Sequence, residues 1–299
     1  MQPKVSSRKC HPNAERGHTL IELLVSIFMI GIVLAMLTSL MRTSVTVKEE
    51  GSLETEAQQG LRGLISMVTQ ELRQAGACLS TTGPFIALTG TDNSNQDSLT
   101  LRIGKVTPAT LLCAVATAQV AAVGATSITV DEASKFQVGD RLYIKESNAT
   151  GSYNKVTAVN TGANTLTLTS ALANALPVGA GVYAIEERTY SIGTVNGQPT
   201  LLMSVDGGTA WPLVSGVETF DIQYYLGPCT LNNNGTLNCA GTVPAPAVGA
   251  GQWNQVQAVG VRAAVHSHKA DKHGVIHHAT TDQAGAVSGY VMIKPRNFM

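Results

Sequence analysis

The chain has 299 residues, of which 44% are hydrophobic and 13% charged, with Lys+Arg and Asp+Glu balanced at 20 each. That is too apolar for a disordered chain, and a neutral chain without a basic patch or interleaved aromatics does not read as a nucleic-acid binder. The length is enough for a membrane anchor plus one good-sized core.

In chain order, the first feature is a basic leader with Lys4, Arg8, Lys9 and Arg16 set against Glu15. Next comes an almost unbroken apolar run, TLIELLVSIFMIGIVLAMLTSLM, from Thr19 to Met41. Its roughly 23 residues, at 1.5 Å of rise each, match a hydrocarbon core of about 30 Å. The positive-inside rule keeps the leader cytoplasmic and sends everything after Arg42 outside. The run ends in LTSLMRTSV without small residues of the A-x-A kind, so cleavage behind it is not expected. One acid, Glu22, interrupts it, and a carboxylate costs several kcal/mol in hydrocarbon unless it is paired.

From Arg42 to Ala77 the pattern turns amphipathic. Leu53, Ala57, Leu61, Leu64, Ile65, Val68, Leu72 and Ala75 recur every three or four residues, with Glu54, Gln58, Arg62, Gln70 and Arg73 on the other face. This predicts one long helix, anchored by its first half and packed on a domain by its second. Gly51, Gly60 and Gly63 each cost about 1 kcal/mol relative to Ala and mark where it could bend or melt. Gly76 and the TTGP stretch at 81–84 end it.

After Pro84 the chain alternates with period two in short runs: DSLTLRIGKV, TSITVDE, DRLYIKE, NKVTAV, NTLTLTS, VYAIEERTYSI, TLLMSV, VETFDIQYYL, QVQAVGVRAAV and VSGYVMIK. The region is predicted to be mainly antiparallel β, with 121–187 as a small separable β module and GTVPAPAVGAGQ (241–252) as an aperiodic loop. No strict repeat implies a solenoid. Cys10 lies in the leader, and Cys78, Cys113, Cys229 and Cys239 form an even set on the oxidising side. Cys229 and Cys239 flank a polar, turn-rich loop and make the first bridge; Cys78 with Cys113 follows by elimination.

The opening RGHTLIELLVSI resembles a prepilin-type signal, as in type IV pilins and the pseudopilins of type II secretion. The resemblance implies that a membrane peptidase cuts between Gly17 and His18 and methylates the new terminus. Glu22 then becomes the fifth mature residue, and His18 stands where the family usually has Phe. The terminal ammonium of one subunit can neutralise Glu22 of a neighbour when anchor helices pack away from water, at a cost far below that of either charge alone. A plainer reading leaves Glu22 near the headgroups, snorkelling.

Further along, EAQQGLRGLISMVTQELRQAGACLS resembles the helix end of PilW-type minor pilins. QDSLTLRI, SGVETFDIQYYL and VMIKPRN resemble strands of that group and of the related J-type pseudopilins. The module with FQVGDRLYI resembles inserts of some long minor pilins.

Other residues invite chemistry. His266, His268, His273, His277 and His278 are spaced so that imidazoles could hold Zn, Cu or Ni, with Asp271 and Asp282 nearby. No H-E-x-x-H or Cys pair accompanies them, and a solvated hairpin loop is the expectation adopted. TDNSNQDS (91–98) offers oxygens to calcium but lacks the Gly and terminal Glu of an EF-hand loop, so Asx turns are expected. Trp211 and Trp253 are read as packing residues. No G-x-S-x-G, Walker A, Rossmann fingerprint or S-x-x-K is present, so neither enzyme activity nor a cofactor is expected.

Together these readings give an α+β, pilin-like fold: leader 1–17, transmembrane anchor 18–45, amphipathic stem and start of the β head 46–120, inserted β module 121–187, and the rest of the head 188–299. The expected role is a minor pilin priming or capping a type IV pilus from the inner membrane. Its expected partners are other minor pilins, the major pilin, the prepilin peptidase, the assembly platform and lipid. The alternatives are a type II secretion pseudopilin and a filament-tip adhesin or ligand-binding module.

Overall fold

A computed structural model of the chain describes residues 19–79, 84–105, 114–231, 237–239, 252–270, 275–281 and 291–293. The chain divides into two compact units, 1–51 and 52–299. A single helix, α1 (Leu20–Gln74), runs through the described part of the first unit and into the second. Helical structure continues through Gly51, Gly60 and Gly63, so none of these weak points melts it. The amphipathic neighbours outweigh a propensity cost of about 1 kcal/mol per glycine. Past Gln74 a turn at 75–78 leads out of the helix, with Gly76 at φ +72°, in the left-handed region.

Within residues 52–299 the described strands pair antiparallel. In chain order they are β1 (Leu88–Thr91), β2 (Ser98–Gly104), β3 (Val115–Ala116), β4 (Ser127–Thr129), β5 (Arg141–Lys145), β6 (Gly151–Asn160), β7 (Thr165–Leu168) and β8 (Gly181–Val195). Then follow β9 (Gln198–Val205), β10 (Trp211–Ser215), β11 (Val217–Tyr225), β12 (Cys229–Leu231), β13 (Leu237–Cys239), β14 (Ala258–His266), β15 (His278–Thr280) and β16 (Val291–Ile293). Long β8 is the spine. One edge pairs with β3 near Val182 and β2 from Ile185 to Tyr190; the other pairs with β5 and then β9. A second sheet has β14 between β11 on one side and β15 and β16 on the other.

Alternation explains the main core. Leu99 and Leu101 of β2, Phe220, Ile222 and Tyr224 of β11, and Val259 and Val261 of β14 point inward, and Ala57, Leu61, Leu64, Val68 and Leu72 of α1 join them in one cluster. Each fully buried Leu, Val or Phe contributes about 1.5–3 kcal/mol. Gly60 lets the helix come close: a Cβ there would lie 3.1 Å from Val265 Cγ1.

A second core lies inside a small closed barrel. β8, β5, β6, β7 and β4 pair in that order, and β3, already paired with β8, closes the circle through the Thr117–Val130 bridge to β4. Val115, Ile128, Leu142, Ile144, Val156, Leu166, Leu168 and Val182 fill it. The barrel is built of two halves related by a pseudo-two-fold axis. Ser127–Thr129 corresponds to Thr165–Thr167, and these segments pair with each other. Arg141–Lys145 corresponds to Gly181–Ile185, and in that pair Tyr143 faces its own counterpart, Tyr183.

Connecting hydrogen bonds come in matched sets. Leu168 N–H donates to Thr126 O at 2.8 Å and Val130 N–H to Asn164 O at 2.9 Å. Gly139 N–H donates to Val156 O at 2.8 Å and Gly179 N–H to Thr117 O at 2.9 Å. The two Val-Gly turns need a left-handed residue at the same place, Gly139 at φ +97° and Gly179 at φ +84°. Little more than these turns, the two tyrosines and a following acid is common to both copies, which is why no repeat stands out in the sequence.

Candidate assembly site

The anchor half of α1 begins with Glu22 N–H and Leu23 N–H donating to Thr19 O at 3.0 and 3.2 Å. Glu22 therefore lies in the first turn, where the helix dipole favours an anion. The segment is long and apolar enough to cross a membrane, with a mean hydropathy of 2.7 over its most apolar stretch. Four of its hydroxyls bond back within the helix. Ser26 donates to Glu22 O at 2.8 Å, Thr38 to Leu34 O at 3.0 Å, Thr43 to Ser39 O at 3.1 Å and Thr46 to Arg42 O at 2.8 Å. Hydroxyls bonded in this way can enter hydrocarbon at little cost. Leu20, Ile21, Phe28 and Met36 are among the large apolar side chains exposed along this helix. Gly17 and His18, the expected cleavage pair, lie outside the described residues.

The stem half is bound to the head by polar contacts as well as by its apolar seam. Glu71 meets Arg188 of β8 at 2.6 Å, and Arg188 also meets Glu186 at 2.5 Å. Burial works against the Arg188 charge, but the hydrogen bonds to Glu186 and Glu71 outweigh it and hold the guanidinium above its ordinary pKa. Past the helix end, Gly76 N–H donates to Arg102 O at 2.8 Å and Gly104 N–H to Ala77 O at 2.9 Å. A Cβ at Gly104 would fall 2.8 Å from Ala77 O and from Cys78 Cβ, so the turn and β2 touch backbone to backbone.

Sequence periodicity finds the apolar seam but misses Glu71. It lies on the flank of the seam beside Leu72, where a helical pattern reads simply as the start of the polar face.

Cys78 and Cys229 are both disulfide-bonded. Cys229 stands opposite Cys239 in the β12–β13 pair. The Cys239 side chain and all of Cys113 lie outside the described residues.

The histidines divide among different tasks. His266 is buried and its Nδ1–H donates to Ser267 O at 2.7 Å; His278, opposite it in the β14–β15 pair, has Nδ1 3.3 Å from Glu218 Oε2. Ser267 N–H donates to the His277 carbonyl, His268 is exposed, and His273 lies outside the described residues. Among the described residues no three His, Cys, Asp or Glu side chains gather as a metal would need. In the 91–98 loop the buried Asp97 carboxylate is used internally, accepting Asn93 N–H at 2.9 Å and Ile222 N–H at 2.8 Å.

The model of the prokaryotic N-terminal methylation motif matches residues 12–38. The chain thus carries a type IV pilin-like prepilin signal leading into a long apolar helix. That motif indicates a protein of the type IV pilin or pseudopilin kind, which points to a structural protein that assembles with other pilins and is processed by the prepilin peptidase. No curated protein matches the chain.

Proposed function

We propose that the chain is a minor pilin of the PilW type that primes or caps assembly of a type IV pilus, in adhesion, twitching motility or DNA uptake. The supporting observation is the continuity of the methylation motif at 12–38 with one helix whose stem residues Ala57–Leu72 form part of the β head's core. The leader stays cytoplasmic, Thr19–Met41 spans the inner membrane, and the head stands in the periplasm until the subunit enters a filament at the cell surface. The peptidase cuts between Gly17 and His18. Glu22 then pairs with the amino terminus of a neighbour while apolar anchor faces pack together, since packing and polar pairing drive helix association in lipid.

Within the head, residues 121–187 form an inserted module. Cys229 bonds to Cys239, a pairing their register favours, and Cys78 bonds to Cys113. The partners are other minor pilins, the major pilin and the assembly platform.

The test is the N-terminal mass of the protein purified from membranes with and without the prepilin peptidase. A mature chain starting at methylated His18, and lost without the peptidase, supports the reading; an intact Met1 terminus in both strains refutes it. Deleting the gene then separates pilus from secretion: loss of piliation is expected, and loss of protein export with normal piliation assigns the chain to type II secretion instead.

A further inference from the structure

The pseudo-two-fold barrel has two related outer surfaces, one on either side of the Tyr143–Tyr183 pair; among the described residues the head's own segment covers the Tyr143 side, and Tyr183, packed in part against the same core, borders a surface that stays open. On the Tyr143 side the head's own segment is seated. Phe85 packs edge-on against Tyr143, ring centroids 4.8 Å apart at 69°, and Ile86 N–H donates to Tyr153 Oη at 3.4 Å. The Arg102 guanidinium lies 5.2 Å over the Tyr153 ring and bonds Glu187 at 2.9 Å, while Lys105 meets Asp140 at 2.6 Å. Aromatic stacking and charge-assisted pairing thus hold the barrel to the head.

On the Tyr183 side the corresponding surface is an open groove of about 570 Å³, lined by Ala114, Ala116, Asn148, Val178, Gly181 and Tyr183 among others. It is open because its residues are small. Matching the two copies through their strand registers, Ala114 stands where the covered side has Tyr153, Ala180 where it has Asp140, and Gly181 where it has Arg141. The same substitutions remove the acid that receives Lys105, Asp140, and the ring over which Arg102 lies, Tyr153. Two charged residues line the groove, Lys145 and Glu146, and Glu146 is 6% exposed with its carboxylate accepting from Asn174 Nδ2 at 2.7 Å. The aromatic half of the recognition chemistry is therefore retained, in Tyr183, and the ionic half is lost. Val178, at the tip of the Val-Gly turn on the rim, is 62% exposed, a large apolar side chain facing water beside the groove.

We propose that this groove is a docking site for an extended, uncharged segment of a partner protein that presents an aromatic side chain, seated on Tyr183 as Phe85 is seated on Tyr143. The chain supplies a probe of that chemistry in its own sequence, the peptide PFIALTGT corresponding to Pro84–Thr91. Fluorescently labelled, it is titrated by anisotropy into the full-length protein in detergent, beside a version with Ala in place of Phe.

Saturable binding of the Phe peptide is expected, at least about ten-fold tighter than the Ala peptide, the scale of one buried aromatic contact. Ala114→Trp, which fills the groove, and Val178→Arg, which alters an exposed turn without touching the core, are both expected to weaken binding about ten-fold or more with melting unchanged. The proposal is overturned if the peptide does not bind, if the two peptides bind equally, or if neither variant changes the affinity of a protein that melts normally.

Discussion

Replacing Asp97 with Ala should unfasten the edge of the second sheet. β11 is an edge strand, and a nine-residue edge carries unpaired amides that invite foreign strands. The loop before β2 covers it. Phe220 N–H donates to Asn95 O at 2.7 Å, Asp97 N–H to Phe220 O at 2.8 Å, and the Asp97 carboxylate takes Ile222 N–H at 2.8 Å and Asn93 N–H at 2.9 Å. Asp97 is 1% exposed, so truncation strands two amides, of which the Ile222 N–H is buried. At about 1–3 kcal/mol for each stranded buried group, less the desolvation of the carboxylate that is relieved, the expected loss is about 2–4 kcal/mol. For a unit of this size that lowers Tm by roughly 5–15 °C.

Burial raises the Asp97 pKa above 3.8, opposed by the amides of Asn93 and Ile222 and assisted by Asp221 and Asp92. Raised in the folded state, it makes the ionised form a liability that is fully present above the folded pKa and relieved as pH falls through it towards 3.8. Wild type should therefore gain stability relative to Asp97→Asn on acidification through that window. The assay is thermal unfolding followed by near-UV circular dichroism for wild type, Asp97→Ala and Asp97→Asn between pH 7 and about pH 3.5. A loss below about 0.5 kcal/mol for the Ala variant, or a wild type that loses ground to Asn as pH falls, would refute the reasoning.

Three further outcomes are expected. Glu22→Ala should leave leader cleavage intact but keep the subunit out of pili, read by immunoblotting membranes and sheared filaments; normal incorporation would sink the pairing mechanism. Gly216→Ala should destabilise the head by about 2 kcal/mol or more, because Gly216 sits at φ +78° and a Cβ would fall 2.4 Å from the His266 carbonyl; an unchanged denaturant midpoint would contradict the geometry. Intact protein without reductant should show no alkylatable thiol at Cys229 or Cys239, and a labelled thiol by peptide mass spectrometry would break that pairing.

How far the sequence could be read depended on whether one periodicity sufficed. The helix and its seam were legible because Ala57, Leu61, Leu64, Val68 and Leu72 follow a single local period, and all five are buried. Long alternating runs such as DSLTLRIGKV and VETFDIQYYL became β2 and β11. The strands that passed unread were those with too little pattern to see. β1 (LTGT) and β3 (VA) are set by their partners, and β10 (WPLVS) carries a proline next to a register shift. The loop TDNSNQDS reads only as polar; that its last acid reaches across to β11 depends on a pairing distant in sequence. The barrel closure likewise rests on one bridge, Thr117 to Val130, that local pattern does not contain.

The pseudo-two-fold barrel gives the head a way to carry an extra module. A pseudo-two-fold unit presents two related outer surfaces, so one can serve attachment while the other leaves a groove open beside Tyr183. Attachment is specific: Asp140, Tyr153 and Glu187 meet Lys105, Phe85 and Arg102, and Arg141 braces Glu187, in contacts that a neutral, small-residue surface could not reproduce. The second copy went the other way, to Ala114, Ala180 and Gly181, and so cannot compete for the head's own segment through charge. The two surfaces differ in chemistry: only the Tyr143 side offers Lys105 an acid, Asp140, and the Arg102 guanidinium a ring, Tyr153. Hence Asp140→Ala should destabilise the head by about 1–2 kcal/mol, because Lys105 loses its acid and Gln137 N–H its acceptor; an unchanged denaturant midpoint would argue against attachment by charge.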